Sequence, residues 1–498
     1  MGLDHLIRDP VHRTIPISSD ERRVIDHPLF QRLRRIKQTA FLNLIFPGAT
    51  HDRFSHSLGV MHMAGIVFDQ IAEEFSSTFG PRAFQPNQKD YFRRLIRLAA
   101  LLHDVGHGPF SHSLEGVTHA GRPIHPTRKD LLDKGDIPDH WVDPKGPAIK
   151  DSWLKIPAQH EEFSISLIAR MADADGRLGA LCAQDIAALI CDWIEPTEEF
   201  NSMNRVGPSG KWNLKSALKA IVSGEIDADR MDYLLRDSHY TGVPYGQYDR
   251  EMLLGNILWR PDPNKANHLC VAIRRKALHA FEDFLISRYH MFLQVYSHKT
   301  TVGFDVVLEN ALAELPDFSI DPTLDDYIQW SDDWLLRKIQ ENRSSIWGRY
   351  IADRLPLKHL FTVRQEDQKD FNKFIKPFEK SIGTTAWFPS LKNKDALVDA
   401  KGSKKNSAGG EVPKLWWRNT TSVLTRGERG HYPIYLEDSS RKLKPVEEVS
   451  ILLRSDYVRK FEMTHVYCLR EDFSKVQTWL VDSNIPESLF KIGKTLIN

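Results

Sequence analysis

Apolar residues recur at three- and four-residue steps through much of the first 300 positions, the spacing that turns one side of an α-helix into a core. From Ser57 to about Phe79, the residues Val60, Met63, Ala64, Val67, Phe68 and Ile71 trace one such face. The stretch Tyr91–Leu102 repeats it with Leu95, Leu98, Ala99 and Leu102. The same reading predicts helices over Asp185–Ile194, Ala217–Ile221, Asp229–Arg236 and Ala277–Tyr296. Alternation of period two, the mark of a half-buried strand, is scarce there and appears late, around Thr421–Leu424 and His465–Leu469. The pattern predicts a mainly α fold with a smaller mixed α/β C-terminal part, divided into residues 1–320 and 321–498. Two stretches break the periodicity. Residues 121–157, rich in Pro, Gly, Lys and Asp, read as a long loop or insertion, and 392–413, polar and glycine-containing, as a flexible surface loop.

Composition narrows the class. Of 498 residues, 41% are hydrophobic, enough for a substantial core, and 67 Lys+Arg nearly balance 66 Asp+Glu. Near-neutrality argues against broad polyanion coating, so any anion site is local, as in the cluster Arg32, Arg34, Arg35 and Lys37. The four cysteines form no CxxC pair and read as reduced thiols of a cytoplasmic protein. No stretch approaches the ~20 apolar residues that span a bilayer.

The densest chemistry lies in LAALLHDVGHGPFSH, where His103 and Asp104 end an apolar helical run and His107 and His112 follow. Imidazole and carboxylate suit a divalent ion such as iron, manganese, magnesium or zinc. Adjacent residues on a regular helix diverge by ~100°, so both can face one ion only near a helix end or where several helices cross. Gly106, Gly108 and Pro109 break the helix there, and further ligands must come from other helices. His56 in HDRFSHSLG and the acidic run IDADRMDYLLRD are the candidates, although Asp227 or Asp229 is equally readable as a helix cap.

Several segments together resemble the HD-domain phosphohydrolases, whose signature is H…HD…D. They are FQRLRRIKQ (30–38), FPGATHDRFSHSLGV (46–60), LLHDVGHGPFSH (101–112), QHEEFS (159–164), DADRMDYLLRDSHYTG (227–242) and YSHKTTVG (296–303), with a fainter match at 465–474. Within that family the chain is most similar to the deoxynucleoside triphosphate (dNTP) triphosphohydrolases, some of which join a SAM domain to the HD domain. No SAM-like segment is expected before the first match. The resemblance implies an HD-domain helical core with His56, His103, Asp104 and Asp229 as metal ligands. It implies His107 as the acid/base group, oriented by Glu115, with His160 facing phosphate. It places Arg53, Arg230 and Arg288 on the triphosphate, and Gln38, Tyr233, Asp237 and Tyr296 around the sugar. In the reaction so implied, water attacks the α-phosphorus, His107 protonates the leaving 5′-oxygen, and tripolyphosphate leaves intact.

Asp26, Gln31 and Arg34 resemble residues that hold an activating nucleotide between subunits. This implies a GTP- or dNTP-activated homo-oligomer, a dimer or tetramer, with dGTP among the expected ligands. The competing reading is a solvated basic face made by Arg32, Arg34 and Arg35. Other readings of the whole remain: an HD-type 5′-nucleotidase, cyclic-nucleotide phosphodiesterase or single-strand nuclease, or a nucleotide-sensing scaffold, with single-stranded nucleic acid as a partner.

Overall fold

The structure, a computed structural model, describes residues 5–364 except 116, 120–121, 143–150, 316–323 and 342–343, and beyond them 396–397, 415–423, 434–454 and 460–482. It is mainly helical, and one contiguous apolar core runs from Ile15 to Tyr467. At its centre lies a helix of 27 residues, Arg53–Phe79. Asp52 caps its start by accepting from Ser55 N at 2.8 Å, and Gly80, at φ 88°, ends it.

Two further helices pack on the central one, Gln88–Leu102 and Ala228–Thr241. Their close approach depends on glycine. A Cβ on Gly59 would lie 1.8 Å from Asp232 Oδ1 and 2.5 Å from an Arg236 nitrogen. Gly65 gives the same room to Arg97, whose guanidinium would stand 2.8 Å from an added Cβ. These contacts lock the helix crossing that brings the site together.

The expected helices are present with shifted ends. The one foreseen over Asp185–Ile194 runs Ala183–Ile190, because Cys191 turns to extended backbone and the apolar run continues as a buried turn. The helix Leu278–Met291 passes into a single π turn, Phe292–Tyr296, which carries Tyr296.

Residues 121–157, read as a loop, carry short helices where described, Arg128–Asp133 and Asp151–Leu154. Leu131, Ile137 and Trp141 are buried in the core, and Arg128 bonds Glu162 at 2.7 Å, so this segment is anchored rather than free. The loop expected at 392–413 lies outside the described residues except 396–397, a short strand.

The late strands are Trp416–Val423 and Lys460–Cys468, paired antiparallel and flanked by Lys358–Arg364 and Ala396–Leu397; Leu424 lies outside the described residues. A second sheet joins distant parts of the chain: Tyr435–Glu437 runs parallel to Leu269–Arg274, itself antiparallel to Ile257–Pro261. No helix among the described residues is long and apolar enough to cross a membrane.

Gly59→Ala separates local preference from packing. Propensity alone favours Ala in a helix interior by about 1 kcal/mol. The collision with the buried Asp232–Arg236 pair outweighs this, and the variant is expected to lose ~1–3 kcal/mol in chemical denaturation. A gain in stability would contradict the packing described.

Candidate metal centre and active site

The helix ending at Leu102 releases His103 and Asp104 into a series of turns, so both side chains face one centre. The remaining ligand atoms come from the start of the central helix and the first turn of Ala228–Thr241. His56 Nε2 stands 3.0 Å from Asp229 Oδ1 and 3.6 Å from Asp104 Oδ2. His103 Nε2 stands 3.3 Å from Asp104 Oδ1 and 3.8 Å from Asp229 Oδ1. One ligand atom each from His56, His103 and Asp229 falls within 4.8 Å of the others. Asp104 sits beside this trio and also binds Arg53, which in turn donates to Ser111 Oγ at 2.9 Å.

The far sides of the imidazoles fix their chemistry. His56 Nδ1 donates to Asp232 Oδ2 at 2.8 Å, and His103 Nδ1 donates to the Ala100 carbonyl at 2.7 Å. That leaves both Nε2 atoms for the centre, and both are buried without a hydrogen-bond partner among the described residues. Two bare imidazole nitrogens facing ionised carboxylates are the donor set of a divalent cation. Electrostatics agree. Burial opposes charge on His56, yet Asp229 and Asp232 outweigh it and raise its pKa to about 10. Burial likewise opposes charge on His103, and Asp104 with Asp229 raises it. Asp229 is held below the usual carboxylate range, its burial overcome by His103 and His56. The pocket demands positive charge, which a metal would supply in place of protons.

A second cluster adjoins the first through Asp104, whose Oδ1 lies 3.3 Å from His107 Nε2. His107 stacks on His160 with centroids 3.9 Å apart and planes at 13°, and His112 meets both edge-on. Glu115 was expected to orient His107. Instead its Oε1 accepts from His160 Nδ1 at 2.6 Å and its Oε2 from His112 Nδ1 at 3.0 Å. The reason is local. The turn Ser111–Leu114 carries Glu115 back over His112, while His107 points to Asp104 with neither nitrogen hydrogen-bonded among the described residues.

Burial, with Arg53 and His160, pushes His107 well below its ordinary pKa, so it is neutral. Burial opposes charge on His160, but Glu161 and Glu115 raise it to about 10. Glu115 stays ionised, since His112 and His160 more than offset its burial. Both Glu115 oxygens are thus occupied by N–H donors, which suits this cluster to proton transfer better than to a second ion. His112, with 63% of its side chain exposed, is its solvent-facing member.

The remaining expected residues fall around these clusters. Segment 36–38 pairs with 51–53, through Gln38 N to His51 O at 3.1 Å and Arg53 N to Ile36 O at 2.9 Å, and Gln38 Oε1 is buried without a hydrogen-bond partner among the described residues. Asp237 accepts from Tyr296 OH at 2.5 Å and pairs with His51 Nε2 at 2.7 Å. Tyr233 meets Tyr296 edge-on at 6.2 Å. Arg230 is buried against Asp227 at 2.9 Å, and burial plus Arg230 lowers the pKa of Arg288. Asp26, Gln31 and Arg34 lie apart on the surface. Arg34 Nε donates to Gln31 Oε1 at 2.8 Å, and Asp26 meets Arg22 at 3.4 Å.

Arg32 does not belong to a solvated basic face. It is 1% exposed and binds the carbonyls of Val105, His107 and Trp330 at 2.8, 2.6 and 2.9 Å. The sequence reading also missed Asp232, Arg236 and His12. Only the placing of Asp232 three residues after Asp229, on the same helix face, hinted at the first of these.

The HD domain family matches residues 53–131. Protein YwfO of Bacillus subtilis is 32% identical over 313 residues, covering 62% of this chain and 55% of that one. Human deoxynucleoside triphosphate triphosphohydrolase SAMHD1 is 27% identical over 323 residues, covering 63% of this chain and 45% of its own length. The chain thus spans roughly half the length of these two relatives. A hypothetical protein from Aquifex aeolicus shares the fold, with a TM-score of 0.64 at 23% identity, over 96% of this chain and 99% of the other.

Two measurements probe the geometry. Asp232→Asn removes the anion that orients His56 and is expected to weaken manganese or zinc binding by about 10–100-fold in a chelator competition; unchanged affinity would refute that role. His160 has a folded-state pKa above 6.5, so its pairing stabilises fully below that pH and is lost as pH rises toward about 10. Denaturation of the metal-free protein across this window should show a flatter decline for His160→Gln, and parallel curves would count against the His160–Glu115 pair.

An HD domain thus spans residues 53–131 and holds His56, His103 and Asp104, with Asp229 brought to them from beyond it, and deoxynucleoside triphosphate triphosphohydrolases are among the proteins this chain is similar to.

Proposed function

We propose that this chain hydrolyses dNTPs to the deoxynucleoside and tripolyphosphate. One observation carries the reading: a metal-type ligand trio and a proton-transfer histidine cluster share Asp104 as a common wall. Buried Arg53, Arg230 and Arg288 add the positive charge a triphosphate needs, and guanidinium forks suit paired phosphate oxygens. Tyr233, Asp237, Tyr296 and Gln38 supply aromatic and polar groups for a sugar.

When bound at His56, His103, Asp104 and Asp229, a divalent ion would supply Lewis acidity toward phosphate oxygens. The chain's own residues do the rest. Neutral His107, with both nitrogens unpartnered among the described residues, serves as a hydrogen-bonding group toward phosphate or water. The proton for the leaving 5′-oxygen fits His112 better than His107. His112 faces solvent, and its Nδ1–H donates to Glu115 Oε2, which leaves Nε2 to give or take a proton. Activation by GTP or a dNTP at Asp26, Gln31 and Arg34, and assembly into a dimer or tetramer, belong to the same reading.

Purified, metal-loaded protein incubated with dNTPs, NTPs, dNMPs, cyclic nucleotides and single-stranded DNA tests it directly. Tripolyphosphate from dNTPs is the expected product, and its absence with release of orthophosphate or mononucleotides would select another HD-type reaction. His112→Ala and Glu115→Gln are each expected to lower turnover by about 10²–10⁴-fold with metal content retained. Full activity in both would return the acid role to His107.

A further inference from the structure

The loop that carries the histidines is not self-supporting. Phe110 and Ser111 both take left-handed backbone, at φ 55° and 52°, a conformation that side chains with a Cβ rarely adopt. Something outside the loop must hold them there. The group that does so is Asp332, far along the chain and 4% exposed. Its Oδ1 accepts from Phe110 N at 2.7 Å and its Oδ2 from Lys37 N at 2.9 Å. Both oxygens of one buried carboxylate are therefore spent on the backbones of two different segments.

Those segments carry different parts of the site. Residue 110 opens the turn to His112 and Glu115, and residue 37 precedes Gln38. Ser111 completes the link, donating to Lys37 O at 3.0 Å while accepting from Arg53 Nε. Lys37 thus has its N–H and its carbonyl both engaged with this assembly. Nearby, Tyr327 OH donates to Gly106 O, and Arg32 grips the carbonyls on either side of it while also binding Trp330 O. Residues 327–332 therefore reach both ends of the histidine loop.

We propose that Asp332 is a positioning residue, which clamps the backbone of Phe110 and Lys37 so that the proton-transfer histidines and Gln38 keep their relative places. Its hydrogen bonds among the described residues go to backbone N–H groups and not to a ligand atom or a histidine. The role as positioning for catalysis rests on the proposed hydrolase reading, whereas the clamp stands on the geometry alone. The sequence WSDDW gives no sign of it, because its neighbour Asp333 is exposed and looks the same.

The test uses the full chain with Asp332→Asn and Asp332→Ala, with Asp333→Asn as the control. Asn keeps the shape but presents an amide N–H₂ to one of the two backbone donors. In Asp332→Asn, hydrogen exchange at 105–111 and 36–38 is expected to accelerate by about tenfold or more, while the helix Arg53–Phe79 keeps its protection. Turnover is expected to fall by about 10–100-fold, with KM shifted far less and metal stoichiometry unchanged. Asp332→Glu should recover part of the turnover, and Asp333→Asn should alter neither readout. Unaccelerated exchange in Asp332→Asn overturns the clamp, and faster exchange with unchanged turnover overturns its role in positioning. If Asp332→Ala fails to fold, Asp332→Asn decides alone. If the wild type releases no tripolyphosphate, the substrate reading falls while the exchange measurement still decides the clamp.

Discussion

The site depends on a single buried anion. The Asp232 carboxylate is fully sealed from water and accepts from His12 Nε2 at 2.6 Å, from His56 Nδ1 at 2.8 Å, and from Arg236 at 2.8 and 3.0 Å. A buried carboxylate without partners would be prohibitively costly, and four N–H donors make this one tolerable. Arg236 and His12 keep Asp232 ionised against its burial, and Arg236 is balanced again by Asp9 at 2.8 Å. The same charge that joins the N-terminal hairpin to two helices also sets the tautomer of a metal-type ligand. Structural and chemical roles cannot be separated at this residue, and Gly59 is the space that permits it.

A second layer of constraint surrounds the loop after Leu102. Gly106 packs so closely on the helix His160–Met171 that an added Cβ would lie 2.2 Å from His160 O and from Ser164 N. Ser164 Oγ accepts from Gly106 N and donates to His103 O, at 2.9 and 2.7 Å. With Arg32, Tyr327 and Asp332, four side chains from three separate regions satisfy the polar backbone of a loop that forms no regular structure. A helix or sheet would satisfy those groups internally. Here the freedom to place His103, Asp104 and His107 irregularly is offset by borrowed partners, and the geometry becomes as rigid as the core that supplies them.

Much of this was legible in the chain, and the limits are instructive. The apolar face Val60–Ile71 gave the central helix because burial and helical period coincide there. The break after Leu102 was readable from Gly106, Gly108 and Pro109, and so was the need for ligands from elsewhere. The resemblance implied Glu115 as the partner of His107, whereas the turn brings it to His160 and His112, because a matched motif does not say which ring a turn brings under a carboxylate. The competing reading of Arg32, Arg34 and Arg35 as one solvated face fails at Arg32, whose guanidinium turns inward to three backbone carbonyls that lie far off in sequence. Apolar residues such as Leu131 and Trp141 were overlooked within a segment whose Pro and Gly content suggested a loop.

By itself the sequence determined the helical character, the ligand types, and the HD signature within the matched span of residues 53–131. These follow from local period and from side-chain chemistry, which neighbouring residues encode. Asp229 and His160 lie beyond that span, and Asp232, Asp237 and Asp332 took their roles from partners 176, 186 and 222 positions away. Only the tertiary structure could decide those pairings. A buried charge must find its donors in space, and the close packing at Gly59 and Gly106, not the order of residues, sets which donors are within reach.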